Sequence, residues 1–367
     1  MATKTTGISR DLIIHPGETI GDILEERGIT QAELAAHTDV SPAYISSVIS
    51  GKKNISTKFA MKLEYALGVP RSFWLNLQAN YDAELLGFNE EATVSEDEKI
   101  AKSSLGEVIS YLKKRAIIPA TNKAEELVLS LRKALQVSNI ANLKDLVPSG
   151  AFRISTSSNV DPYVLGAWLR LCQISADTHT ISTEFDSALV DNLIYELKGI
   201  MLKTNCNITY ELSSVMSRYG IAFSVVHNFK GAPVHGYISR KGDNTYQMVL
   251  TIRGAFADIF WFSLFHEIGH IVNGDISKSS KFIDAMDSQN LEQELAADAF
   301  ARDALLDAES YNTFLSQRNY SISAIQKYAV TQRVKPYVVI GRLQKEKYIP
   351  YNRFCQYKLR YKWAENS

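Results

Sequence analysis

Net charge is the first thing this sequence lacks. Its 40 Lys and Arg balance 40 Asp and Glu, so no global field draws the chain toward nucleic acid or an anionic membrane. Cysteine is scarce. Cys172, Cys206 and Cys355 lie far apart and form no CxxC pair. That argues against a disulfide framework or a thiolate zinc knuckle and suits a reducing cytoplasm. A long apolar run is missing as well. The nearest approach, AFADIFWFSLF at 255–265, is interrupted by Asp258 and Ser263 and is too short and polar for a membrane span. The opening MATKTTGISRDLIIHPG lacks the apolar core of a signal peptide. What is present is ordinary for a globular protein: 367 residues, 46% hydrophobic and 22% charged, room for two or three domains.

Residues 30–56 read TQAELAAHTDVSPAYISSVISGKKNIS. Thr30 with Glu33 three residues on forms a capping box, so a helix starts there. His37 to Val40 reads as a tight turn. Ser41 then caps a second helix whose first position is Pro42, where a missing N–H does no harm. Ile45, Val48 and Ile49 give that helix a buried face, and Gly51 ends it. Two short helices joined by a tight turn make a helix-turn-helix. The second helix would enter a major groove with its N-terminal end leading, offering Ser41, Ala43, Tyr44 and Ser47 as the exposed candidates. Gln31, Lys52 and Lys53 are placed for phosphates.

Residues 15–84 closely resemble the Xre-type helix-turn-helix of HigA-like antitoxins. His15-Pro16-Gly17-Glu18, the TQAELA start, the YISSVISGKK helix and the FWLNLQANYD ending carry the likeness. Asp39 stands where that family's turn usually has glycine. The resemblance implies a regulator on a double-stranded DNA operator and a toxin as a protein partner. The segment holds six Lys and Arg against nine Asp and Glu, net −3, so it lacks a basic footprint. One copy should bind modestly, which points to a homodimer on a two-fold site. The other reading is a module used only for dimerisation or docking.

Residues 86–215 are helical by pattern and poor in chemistry. SEDEKIAKSSLGEVISYLKKRAIIP, AEELVLSLRKAL, YVLGAWLRLCQISA and SALVDNLIYELKGIMLKT read as amphipathic helices of a connector where regulation enters. His179 has no evident partner there.

Further on, FHEIGH at 265–270 holds H-E-x-x-H, a pattern with a chance probability of about 1% in such a chain. Spacing of four puts both imidazoles on one helical face. DIFWFSLFHEIGHIVNGD supplies the helix, without proline and with Gly274 as its stop. His266 and His270 can then ligate one metal ion, and Glu267, turned slightly aside, can take a proton from water as general base. Zinc suits this set, with manganese as the alternative. A third ligand is expected from LEQELAADAFARDALL, where Glu294 and Asp298 share a face. Glu294 completes a His2Glu set, and Asp298 accepts the second N–H of a ligating histidine. Ala296, Ala297, Ala299 and Ala301 allow close helix approach. Glu292 is an alternative ligand, and Asp284 and Asp287 are weaker ones. Ile221 to Ile252 supplies two or three strands. The one at 245–254, read as an edge strand, would bind substrate backbone. His227 and His235 in this region are further oxyanion candidates, although a structural role suits them better.

FWFSLFHEIGHIVNGD with ELAADAFARDALL resembles the ImmA/IrrE metallopeptidases over roughly residues 215–310. By position the resemblance makes His266, His270 and Glu294 the ligands and Glu267 the base. It implies a cytoplasmic protease that cleaves a helix-turn-helix repressor on a signal. Beyond it, residues 341–363 carry seven Lys and Arg against Glu346, interleaved with Tyr348, Tyr351, Phe354, Tyr357, Tyr361 and Trp363. This reads as a cap packing its aromatics on the protease domain, or otherwise as a second binding surface.

The expected fold is therefore mainly α with a small β-sheet, in the α+β class. A helix-turn-helix bundle spans 10–84, a helical connector 86–215, a zincin-like metallopeptidase domain 216–310 and a basic, aromatic, helical cap 311–367. The expected function is a DNA-binding regulator with a zinc endopeptidase that cuts a repressor or itself. The alternative is an antitoxin-like repressor whose metallopeptidase-like domain senses or scaffolds without turnover. No membrane partner is expected.

Overall fold

The computed structural model describes residues 13–146, 160–177, 181, 183–204, 206–241, 244–252, 256–276, 281–283 and 291–363. His179, Asp284 and Asp287 lie outside the described residues. The chain forms two compact units, 1–95 and 96–367. Among the described residues no helix is long and apolar enough to cross a membrane.

The first unit is all-α: α1 Pro16–Arg27, α2 Gln31–Thr38, α3 Pro42–Ile49, α4 Thr57–Leu67 and α5 Arg71–Asn89. Local chemistry sets its boundaries. The Thr30 hydroxyl accepts from Glu33 N at 3.2 Å, and Glu33 Oε2 accepts from Thr30 N at 2.7 Å, so the capping box is closed. Asp39 takes the left-handed conformation that ends α2, at φ 49°, and Lys62 Nζ donates to its carbonyl at 2.8 Å. Ser41 caps α3 by accepting from Tyr44 N. His15 caps α1, its Nδ1 accepting from Gly17 N, while its ring meets the edge of Tyr81 on α5. Gln78 on α5 accepts from Ile55 N and donates to Asp82, latching α5 to the start of α4. Ile20, Leu24, Leu34, Ile45, Val48, Phe59, Leu63 and Trp74 fill the bundle.

The second unit opens with α6 Glu96–Ser104, α7 Gly106–Lys114, α8 Ala124–Leu135, α9 Pro162–Asp177, α10 Val190–Leu202 and α11 Ile208–Arg218. The single helix read from residue 95 to 119 is broken at Leu105, whose side chain turns fully into the core. Glu98 is buried and forks onto Arg132, Oε1 to Nε at 2.8 Å and Oε2 to Nη2 at 2.6 Å. Glu98 Oε1 also accepts from Ile140 N, so one carboxylate ties three segments together.

Then follow β1 Ile221–Val225, β2 Gly236–Arg240, β3 Tyr246–Leu250, α12 Ala257–Val272, β4 Lys281–Ile283, α13 Leu291–Leu305, α14 Ala308–Ser316, α15 Ile322–Thr331 and α16 Pro336–Lys345. The sheet order is β1-β3-β2-β4. β1 runs parallel to β3, with Ile221 opposite Tyr246, and β2 runs antiparallel, with Gly236 opposite Leu250. β4 pairs antiparallel with β2, Tyr237 opposite Ile283. This corrects the edge-strand reading of 245–254. β3 is interior, hydrogen-bonded on both sides and buried at every position, so its backbone has no free edge for a substrate. One core runs from Phe185, just before α10, through α10, α11, the sheet and α12 to Ile349.

Past α16 the chain is no longer α-helical and keeps only a 3-10 turn at Cys355–Tyr357, because Pro350 lacks an N–H and Lys347 and Phe354 take left-handed backbone. This tail returns to the start of α12. Ala257 N donates to Leu359 O at 3.0 Å, and Phe256 bridges to Arg360. Lys358 pairs with Asp258 at 2.8 Å, and Trp261 Nε1 donates to the Tyr361 hydroxyl at 2.8 Å. Phe354, Tyr361 and Trp363 are half-buried, while Tyr348, Tyr351 and Tyr357 are exposed.

Lys198 on α10 is half-buried and donates to Gln332 O at 3.2 Å. Burial, helped by the charge of Arg333, pushes its ammonium from the usual 10.5 down to about 8, against the pull of Asp303 and Asp307. Between those values the unfolded chain binds the proton more tightly, so this group makes stability rise with pH. Lys198→Met is therefore expected to raise the melting temperature at pH 7, with the gain disappearing by pH 10.5. Thermal melts of both proteins across that range check it, and a pH-independent difference contradicts it.

Candidate metal centre and nucleic-acid interface

α12 carries its functional residues on the turn that faces α13. The two helices approach closely because both are small at the contact. A Cβ on Gly269 would lie 3.0 Å from Ala297 Cα, and Ala297 and Ala301 are fully buried. Ala296 and Ala299, also expected at this contact, are exposed. The glycine within HEIGH is thus what lets α13 come in.

That approach brings Glu294 to the histidines. Donor atoms of His266, His270 and Glu294 all lie within 4.8 Å of one another. His266 Nε2 is 3.1 Å from His270 Nε2 and 3.2 Å from Glu294 Oε2, and His270 Nε2 is 3.6 Å from Glu294 Oε1. Glu292 is exposed and outside this group. The far side of each ring is held by a carboxylate. His266 Nδ1 lies 3.0 Å from Asp298 Oδ1, and His270 Nδ1 lies 2.8 Å from Asp275 Oδ2. Burial pushes the Asp298 carboxyl up, but the hydrogen bond and charge of His266, with Arg302 and Lys345, outweigh it and hold it below its usual range.

The partners assign the tautomers. With each Nδ1 proton directed to a carboxylate, both Nε2 atoms present lone pairs to the same small space, beside a third anionic donor. Such lone pairs repel unless a cation lies among them. The donor set of two imidazole nitrogens and one carboxylate oxygen fits a divalent metal ion. Glu267, on the same helical turn, is 0% exposed, as is His270.

Asp275 was not anticipated. It follows Gly274 in the turn after α12, where helical periodicity no longer applies. Its only signal is an acid five residues past a ligating histidine. His227 stacks on Tyr111 at 5.2 Å and meets Phe229 and Trp363, with burial holding its pKa down. His235 precedes Gly236 and accepts from Thr251 N through its carbonyl.

In the first unit, Gln31, Ala43, Lys52 and Lys53 are exposed, with both lysines just past the end of α3. Ser41 is exposed but its hydroxyl is occupied as the helix cap. Two expectations need correcting. Tyr44 is half-buried, its ring edge-on to Phe59 at 5.0 Å with Lys53 Nζ above it at 5.2 Å. Ser47 is also half-buried, and its hydroxyl donates to Ala43 O at 2.7 Å. Tyr44 is turned toward α4, where Phe59 receives it, a contact that helical periodicity alone does not reveal. Ser46, on the same helix, is exposed.

Two family profiles match the chain: Helix-turn-helix over residues 20–74 and Peptidase U49 over residues 230–327. The second range contains all of His266, Glu267, His270 and Glu294. The N-terminal unit is similar to Virulence-associated protein A' of Dichelobacter nodosus, 43% identical over 74 residues, 20% of this chain and 64% of that protein. The chain thus spans under two thirds of that relative's length. It is also similar to the uncharacterized HTH-type transcriptional regulator YddM of Escherichia coli (strain K12), 32% identical over 63 residues, 17% of this chain and 67% of that one. A crystal structure of a putative antidote protein of a plasmid maintenance system, from Nostoc punctiforme, is 41% identical, covering 22% of this chain and 89% of its own, with a TM-score of 0.20.

Carboxylates that hold a ligating imidazole typically change metal affinity by about 10–100-fold when removed. Asp275→Asn and Asp298→Asn are each expected to weaken zinc binding by that factor, whereas Glu292→Gln leaves it unchanged. Competition with a chelating indicator measures all three.

Proposed function

This chain belongs to the Xre-type helix-turn-helix family and carries a Peptidase U49 domain of the ImmA/IrrE kind, and we propose that it is a DNA-binding transcriptional regulator whose metal-dependent endopeptidase cuts a repressor, or the chain itself, in response to a signal. The observation that carries this reading is the convergence of His266, His270 and Glu294 beside Glu267. A zinc ion, or manganese, held by His266, His270 and Glu294 would supply Lewis acidity there, able to polarise a peptide carbonyl and to acidify water. The chain's own residues do the rest. His266 and His270 present their Nε2 atoms, and Asp298 and Asp275 keep the Nδ1 protons behind them. The Glu267 carboxylate takes the proton of the attacking water and returns it to the leaving amine nitrogen.

The helix-turn-helix unit recognises a double-stranded operator through α3, with Ala43 and Ser46 toward the bases and Gln31, Lys52 and Lys53 toward phosphates. Because residues 15–84 are net acidic, two copies act together as a homodimer. The protein is cytoplasmic in this reading, and a repressor or toxin is its protein partner. One observation favours the second reading, an antitoxin-like repressor without turnover. Glu267 and His270 are 0% exposed, so a substrate reaches them only after the site opens.

Glu267→Gln separates the two readings. Metal-loaded wild-type protein, incubated with the repressor whose gene it controls, is expected to yield fragments that Glu267→Gln does not, at equal metal content. Fragments that persist in the variant sink the peptidase reading. For the DNA unit, Lys52→Ala with Lys53→Ala is expected to weaken binding to all sequences and to lower the salt slope of the dimer by about 4, about 1 for each lysine removed from the two copies. An unchanged slope removes these lysines from the interface.

A further inference from the structure

β2 begins with a glycine whose backbone does not require one. Gly236 is buried, pairs with Leu250 of β3, and is not among the glycines with positive φ. Glycine inside a strand weakens it, because the freer unfolded chain loses more entropy and there is no side chain to pack. Conformation therefore does not explain this residue, and space does. A Cβ at position 236 would lie 2.9 Å from Glu267 Cδ and nearer still to Glu267 Oε1. Leu250 Cδ2 would be 3.1 Å away. The carboxylate rests where a side chain of β2 would otherwise be.

We infer that Gly236 is the positioning residue of Glu267: its bare Cα forms the floor on which the carboxylate sits beside the histidine pair. The inference rests on the peptidase reading for its consequence, but the contact itself does not need turnover. Glu267 has little freedom to give way. It is 0% exposed, on a helix packed between this sheet and α13, with His266 immediately before it. A methyl group at position 236 must displace the carboxylate or lift β2 from α12. Displacements of about 1 Å in a catalytic group cost on the order of 100-fold in rate. The three atoms nearest a Cβ at position 236 belong to Glu267 and Leu250 and to none of the three metal-binding side chains, so metal binding should survive.

The test is a double-mutant cycle read by thermal melting of the full-length, metal-free chain, together with kinetics. Gly236→Ala is expected to lower the melting temperature by about 2–8 °C with Glu267 present. The same substitution in a Glu267→Ala background should cost almost nothing, because the obstructing carboxylate is gone. With metal restored, Gly236→Ala should still bind one zinc ion per chain. It should lower kcat for repressor cleavage about 100-fold while KM stays within about twofold. An equal thermal penalty in both backgrounds overturns the inference, since the clash is then with Leu250 or the strand itself. Unchanged kcat in a wild type that cleaves also overturns it. If the wild type cleaves nothing, the peptidase reading fails separately, and the thermal coupling alone sustains or overturns the Gly236–Glu267 contact.

Discussion

Two imidazole nitrogens held 3.1 Å apart, each with its lone pair turned inward, are the constraint around which the second unit is arranged. Left alone, such a pair is electrostatically unfavourable. It persists here because carboxylates from two different places draw the opposite ring nitrogens outward, Asp298 from α13 and Asp275 from the turn beyond α12. The small residues along the α12–α13 contact follow from the same need. A bulkier helix could not bring Glu294 and Asp298 within reach together. The cost of burying these polar groups is offset only when every lone pair has a partner, which makes the cluster a place for a cation.

The rigidity of that arrangement comes from further away. The upstream end of α12 has no side-chain cap, and the C-terminal tail substitutes for one. Lys358 neutralises Asp258, Leu359 accepts from the first helical N–H, and Tyr361 receives the indole proton of Trp261. Polar pairing at one end of the helix and dense packing beside the other hold the metal-facing turn between two fixed points. Catalytic groups on such an element keep their geometry better than groups on a loop.

Much of this was legible in the sequence, for local reasons. The Thr30–Glu33 box and the Ser41-Pro42 start are decided by residues within a turn of one another, and the structure has them as read. The i,i+4 spacings of His266 with His270 and Glu294 with Asp298 placed each pair on one helical face. What escaped depended on distant partners. Whether β3 is an edge or an interior strand is decided by β1 on one side and β2 on the other. Tyr44 turns inward because Phe59 is there to receive it. Asp275 belongs to no periodic element, and three-residue β4 is too short to leave a pattern. Gly236 is singled out only by the carboxylate lying over it, which no sequence pattern announces.

The returning tail also imposes an order in time. The chain is made from its N-terminus, and domains fold as units as they emerge. The helix-turn-helix bundle closes its core using only residues before 90, so it becomes competent early in synthesis. The helix bearing His266 and Glu267 is anchored at its start by residues 358–361, made about a hundred positions later. A newly made chain therefore has its recognition helix in place well before its metal-facing turn is held firm.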